Sequence, residues 1–248
     1  MLISCNTLSA RFTQKTSRFS AQAELAVFRI RIANNKAFIP RLRTLLRADE
    51  LARAQRYHQL ADQQRFVVAR AALRSILGQY LACAPAAIQF VVGPNKKPAI
   101  QNEPGLHYNV SHSKDWILIA VSAAPVGVDV EAIDPLFPFQ DILPHSFSLP
   151  ERQAIMSSPD GAHLFYQLWT RKEAFVKATA RGIDDEFSTI PALDGPHRLA
   201  AASGQLVPSW LVSSFTVADG YVGAVAYQPS AHAVVPSFYN LTISEIDN

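Results

Sequence analysis

Apolar and polar positions alternate along this chain with two periods, near two in short runs and near 3.6 in longer ones, which predicts short strands and long helices. Glu24 to Ile32 alternates as a strand. From about Pro40 to Ala82, Arg, Ala and Leu recur at helical spacing, with a break near Ala61. A short apolar strand covers Ile88 to Val92, and a Gly-Pro-Asn turn leads into Lys96, Lys97 and Pro98. Further strands are predicted from Leu106 to Val110, Trp116 to Ser122 and Val126 to Glu131, the last introduced by Pro125.

The order then repeats in outline. A proline-rich loop runs from Pro135 to Pro150, helices from about Glu151 to Ala180, and strands near Gln205 to Val217 and Tyr221 to Tyr227. Helices followed by strands in each half predict an α+β fold of two similar halves, 21–124 and 125–248, meeting near Ala124. The first twenty residues, MLISCNTLSARFTQKTSRFS, lack acids and are rich in Ser, Thr and Arg, a presequence-like composition. A flexible N-terminal extension over 1–20 is the simpler expectation.

Composition narrows the partners more than the chemistry. With 248 residues and 49% hydrophobic content the chain can bury a substantial core. A net charge of +3, from 23 basic and 20 acidic residues, is too mild for a nucleic-acid partner. Cys5 and Cys83 are too few for a disulfide framework and lack zinc-site spacing, which fits a cytoplasmic protein. No apolar run approaches the roughly 20 residues needed to cross a bilayer, so no membrane partner is expected.

Four groups of residues carry candidate chemistry. In VGVDVEAID, strand alternation puts Val126, Val128 and Val130 on one face and Gly127, Asp129 and Glu131 on the other. The backbones of the two acids then lie about 6.6 Å apart, within reach of one hard cation, although an acidic strand face is also commonplace. In WTRKEAFVKATARG, Glu173 and Lys177 share a helix face one turn apart, while Leu164, Phe165, Leu168, Phe175 and Val176 form an apolar arc. Lys172 falls among the apolar positions, where a charge is costly unless its stem snorkels or its head meets an anion. In HYNVSHSKDW, Ser111, His112 and Ser113 end a strand and can offer hydroxyls, amides and an imidazole to a phosphate; simple solvation is the alternative. Lys96 and Lys97, with Arg53, Arg65, Arg70 and Arg74, could serve a polyanionic ligand or simply be solvated.

Taken in order, KKPAI, HYNVSHS, GVDVE and WTRKEAFVKATARG resemble the motifs of Sfp-type 4'-phosphopantetheinyl transferases over roughly Arg53 to Gly182. The resemblance implies a pseudo-dimer of two α+β halves, working as a monomer, with coenzyme A in the cleft between them. It implies Mg2+, replaceable by Mn2+, held by Asp129, Glu131 and Glu173 in the second half. It implies contacts to coenzyme A from Lys177, Ser111, His112, Lys97 and Arg53, and catalytic roles for Glu173 and Lys177. The partner would be an apo acyl or peptidyl carrier protein whose serine receives the arm. Two departures stand out: Ala180 where a glycine is common three residues after the helix lysine, and Lys96 at another position often occupied by glycine. A non-catalytic coenzyme A or carrier-protein binder, and a magnesium-dependent pyrophosphate hydrolase, remain open as alternatives.

Overall fold

The computed structural model describes residues 1–14, 25–93, 97–181, 186–198, 209–229 and 235–242. The chain runs through β1 (Leu2–Thr7), β2 (Thr13–Gln14), β3 (Ala26–Arg31), the single turns α1 (Ile32–Asn35) and α2 (Ile39–Leu42), then α3 (Ala48–Gln55) and α4 (Leu60–Tyr80). It continues through β4 (Phe90–Val92), β5 (Pro98–Ile100), β6 (His107–Ser113), β7 (Trp116–Ser122) and β8 (Val126–Ala132). After α5 (Leu143–Ser146), α6 (Leu149–Ser157) and α7 (Gly161–Thr179) come β9 (Gly195–Arg198), β10 (Trp210–Ala218), β11 (Tyr221–Tyr227) and β12 (Ser237–Asn240). Lys96 and Gly182 lie outside the described residues, as does most of the predicted start of the strand at Gln205.

Two sheets carry the α+β halves. In one, β3, β7 and β6 are antiparallel neighbours; in the other, β8, β11 and β10 repeat that arrangement. Strand alternation then builds four layers. On β3 and β7, Phe28, Ile30, Ile117 and Ile119 face α4, while Val27, Leu118 and Ala120 join Val126, Val128, Val130 and Phe215 in a core between the sheets. On the far side α7 covers the second sheet through Ala174, Phe175 and Ala178 against Val212, Ala224 and Ala226.

A buried ion pair repeats with the halves. Glu50 accepts from the Arg47 N–H at the start of α3, and Arg74 of α4 donates to both its carboxylate oxygens at 2.7 and 2.9 Å. Arg74 also donates to the carbonyls of Pro85 and Ile88. In the second half Glu151 accepts from the Ser148 N–H at the start of α6, Lys172 of α7 lies 2.9 Å from it, and Lys172 donates to the Ile190 carbonyl at 2.6 Å. Each pair joins the short helix, the long helix and the loop beyond it. This settles the misplaced charge at Lys172, which is fully buried against an anion, and corrects the solvated reading of Arg74, which is 1% exposed.

The ends of the chain cross between the halves. Leu2–Thr7 is no loose extension: β1 pairs in parallel with β10 and antiparallel with β9, and Ile3 and Cys5 are buried in the second sheet's core. Reciprocally, β12 pairs in parallel with β3 in the first sheet. The simple division at Ala124 therefore describes the central strands and helices but not the terminal ones.

Candidate active site

The site grows from the close approach of α7 to β8. A Cβ built on Gly127 would stand 2.0 Å from the Ala174 carbonyl oxygen and 2.4 Å from the Ala178 nitrogen, so only glycine lets the helix lie on the strand there. One residue pair further along, Asp129 and Glu131 share the Gly127 face, as alternation predicts. Glu173 and Lys177 come down from the helix one turn apart.

Their contacts are close. Lys177 Nζ lies 2.6 Å from Asp129 Oδ1 and 3.9 Å from Glu173 Oε2. Ser111 donates to the same Asp129 oxygen at 2.7 Å, and Ser113 donates to Glu131 Oε2 at 2.9 Å. Burial raises the pKa of all three acids above the ordinary carboxylate range, most legibly at Glu131, where burial and the Asp129 charge push it up to about 7. Asp129 Oδ2 and Glu173 Oε1 are closed to solvent and accept no hydrogen bond. Two orphaned carboxylate oxygens are a costly arrangement that a cation would relieve.

Among the described residues no three His, Cys, Asp or Glu side chains are gathered around one point as a ready-made metal site. Lys177 occupies one oxygen of Asp129, and Ser113 one oxygen of Glu131. The all-oxygen donor set and the orphaned atoms nevertheless suit a hard divalent ion.

The remaining sequence candidates surround this cluster unevenly. His112 is exposed on β6 and lines a cavity of about 510 Å³ together with Arg53, Tyr57, Arg65, Phe66 and Arg70. Although part of the residue is exposed, desolvation of the ring against the cavity wall and the nearby Arg65 charge lower the His112 pKa, favouring the neutral ring. The Arg53 guanidinium sits over the Phe66 ring at 5.2 Å. Lys97 stands elsewhere, donating to the Val126 and Ala178 carbonyls at 2.9 and 3.0 Å, at the start of β8 and the end of α7. Ser111 is buried and spent on Asp129 and Lys177 rather than turned toward the cavity. Tyr57 and Phe66 were missed in the sequence, where nothing separates two aromatic cavity walls from core residues.

The Ala180 departure has a local explanation. Ala180 caps α7 at φ 57°, in the left-handed region where glycine is at ease and a Cβ is not.

Comparison with known proteins fits this geometry. Residues 125–226 match the 4'-phosphopantetheinyl transferase superfamily model, and residues 35–124 match the model of the 4'-phosphopantetheinyl transferase N-terminal region. The two matches meet at the connection between β7 and β8. The 4'-phosphopantetheinyl transferase HetI of Nostoc sp. is 32% identical over 211 residues, 82% of this chain and 87% of that protein. The chain belongs to the 4'-phosphopantetheinyl transferase family. The Sfp protein of Bacillus subtilis is 26% identical over 201 residues, covering 79% of this transferase and 87% of Sfp. The slr0495 protein of Synechocystis sp. is 39% identical over 155 residues, 60% of this transferase but only 63% of that protein. Members of the family transfer phosphopantetheine from coenzyme A to a carrier-protein serine, and this chain is a transferase of that kind.

Proposed function

We propose that Asp129, Glu131 and Glu173 hold Mg2+ or Mn2+ against the coenzyme A pyrophosphate while Lys177 and Glu173 assist attack by the carrier serine. The observation that carries this reading is the meeting of GVDVE and the RKEAFVK helix at Gly127, which leaves buried oxygens of Asp129 and Glu173 without partners. When bound, the cation would neutralise negative charge on the phosphate oxygens. Lys177, already inside the acid cluster, supplies a second positive charge to a phosphate oxygen. Glu173, with its carboxylate pKa raised by burial, is suited to accept the proton of the serine hydroxyl. The bond formed joins the serine oxygen to the phosphopantetheine phosphorus. The bond broken releases adenosine 3',5'-bisphosphate.

The cavity beside His112 suits the nucleotide end of coenzyme A: Tyr57 and Phe66 offer ring faces, and Arg53, Arg65 and Arg70 offer charge for phosphate. Lys97 is assigned to the phosphates as well. The partner is an apo acyl or peptidyl carrier protein, and the segment from Pro135 to Phe147, a predicted loop that includes the single turn α5, is proposed to meet it. Within that loop Leu136 is 89% exposed, whereas Phe139 and Phe147 are core residues. The two free thiols support a cytoplasmic setting. No described helix is long and apolar enough to cross a membrane. The protein is proposed to work as a monomer, since both halves of the fold lie in one chain.

The test is to incubate the purified protein with coenzyme A, Mg2+ and an apo carrier protein, and to weigh the carrier by mass spectrometry. Glu173→Gln is expected to fold and to add no arm. Full transfer by that variant would place the base and ligand elsewhere.

A further inference from the structure

β8 ends the order of its sheet, so among the described residues one edge of the strand carrying the acids has no strand paired to it by a backbone ladder. That edge is covered from the other half of the chain by side chains. The N–H groups of Val128, Val130 and Ala132 donate to Asn109 Oδ1 at 2.9 Å, Ser111 Oγ at 3.4 Å and Ser113 Oγ at 3.0 Å. Asn109, Ser111 and Ser113 recur every second residue along β6, so one face of one strand supplies the whole series.

The two serines do more than cover an edge. A hydroxyl that accepts an amide proton has its own proton left to direct, and each directs it to the acid just before that amide. Ser111 donates to Asp129 and Ser113 to Glu131. Ser111 is shared further with Lys177 at 3.3 Å, whereas the Ser113 hydroxyl donates to Glu131. With Glu131 Oε2 fixed by Ser113, its other oxygen is the one left to turn into the site.

We infer that Ser113 is a positioning residue for Glu131, fixing from the first half of the chain how that acid is presented to the cation. This rests on the proposed reading of Glu131 as a metal ligand. A hydrogen bond from a neighbouring hydroxyl orients a ligating carboxylate, and losing such a partner typically weakens metal binding by roughly ten-fold or more.

The test uses the full-length protein with coenzyme A, titrated with Mn2+ while the free ion is followed by electron paramagnetic resonance. Transfer rates are measured in parallel against Mg2+ concentration. Ser113→Ala is expected to weaken Mn2+ binding about ten-fold and to raise the Mg2+ needed for half-maximal rate by a similar factor. Ser113→Thr, which keeps the hydroxyl, is expected to bind Mn2+ as the unmodified protein does. A folded Ser113→Ala protein with unchanged Mn2+ affinity would overturn the inference. So would a rate loss that is the same at every Mg2+ concentration. If Ser113→Ala does not fold, Ser113→Cys, of similar size and weaker donor strength, takes its place with the same expectation. Glu131→Gln separates the two ideas. Weakened Mn2+ binding there, with Ser113→Ala unchanged, removes only the role of Ser113; unchanged binding in Glu131→Gln removes the metal reading itself.

Discussion

Lys172 Nζ lies 2.9 Å from Glu151 Oε2, and neither side chain reaches solvent. The ammonium lies over the rings of Phe147 and Phe187, 5.0 and 5.8 Å from their centroids, and burial lowers its pKa against the pull of Glu151. Removing one member of such a pair leaves an uncompensated charge in the core. Lys172→Met is expected to destabilise the protein by about 3–5 kcal/mol in denaturant unfolding. The double variant Lys172→Met, Glu151→Gln is expected to recover part of that loss. A double variant no more stable than Lys172→Met would show that the charge is not what makes the single change costly.

The approach of α7 to β8 gives a second prediction. Gly127→Ala must displace the Ala174 carbonyl, and is expected to lose both transfer activity and at least about 3 kcal/mol of stability. Gly105→Ala is the control, because a Cβ there meets nothing within 4 Å. Equal behaviour of the two variants in activity and melting would mean that the helix does not sit on the strand as described.

At the other end of α7 a substitution should help. Ala180→Gly relieves a left-handed alanine, and is expected to raise stability by about 1 kcal/mol, read as an upward shift in melting temperature. A lower melting temperature would argue that the cap adopts another conformation.

Lys97 gives the pH dependence. Burial lowers its pKa from 10.5 to about 8, so the folded protein loses this charge as pH rises through 8 while the unfolded chain keeps it to about 10.5. The burial cost to stability is therefore present below pH 8 and fades between 8 and 10.5. Anion binding runs the other way: affinity for adenosine 3',5'-bisphosphate is expected to fall between pH 7 and 9, and Lys97→Met is expected to flatten that fall. Calorimetric titration checks it, and an equally steep fall in the variant would remove Lys97 from the phosphate site.

The strands Trp116–Ser122 and Tyr221–Tyr227 were legible because each is a nearly continuous apolar run bounded by turn residues. The acids of β8 and the Glu173–Lys177 pair were legible for a similar reason, since faces of strands and helices follow from spacing alone. β1 was not. LISCNT buries only Ile3 and Cys5, and its partner β10 lies some two hundred residues away, so the local pattern carries no sign of the pairing. Arg74 was hidden likewise: its carboxylate partner, Glu50, belongs to another helix, and a buried arginine reads in sequence like a solvated one. Lys172 was half legible, as an anomaly whose solution required Glu151. The role of Gly127 needed the helix above it.

The crossing of β1 and β12 bears on how this chain is born. The first sheet borrows the last described strand, so its full set of strands is complete only once that late segment has been made. The second sheet borrows the first strand, so Leu2–Thr7 must stay unclaimed through most of synthesis. Neither half can be cut out as an independent module without taking a strand from its neighbour, and a force applied to the two ends would load both sheets together.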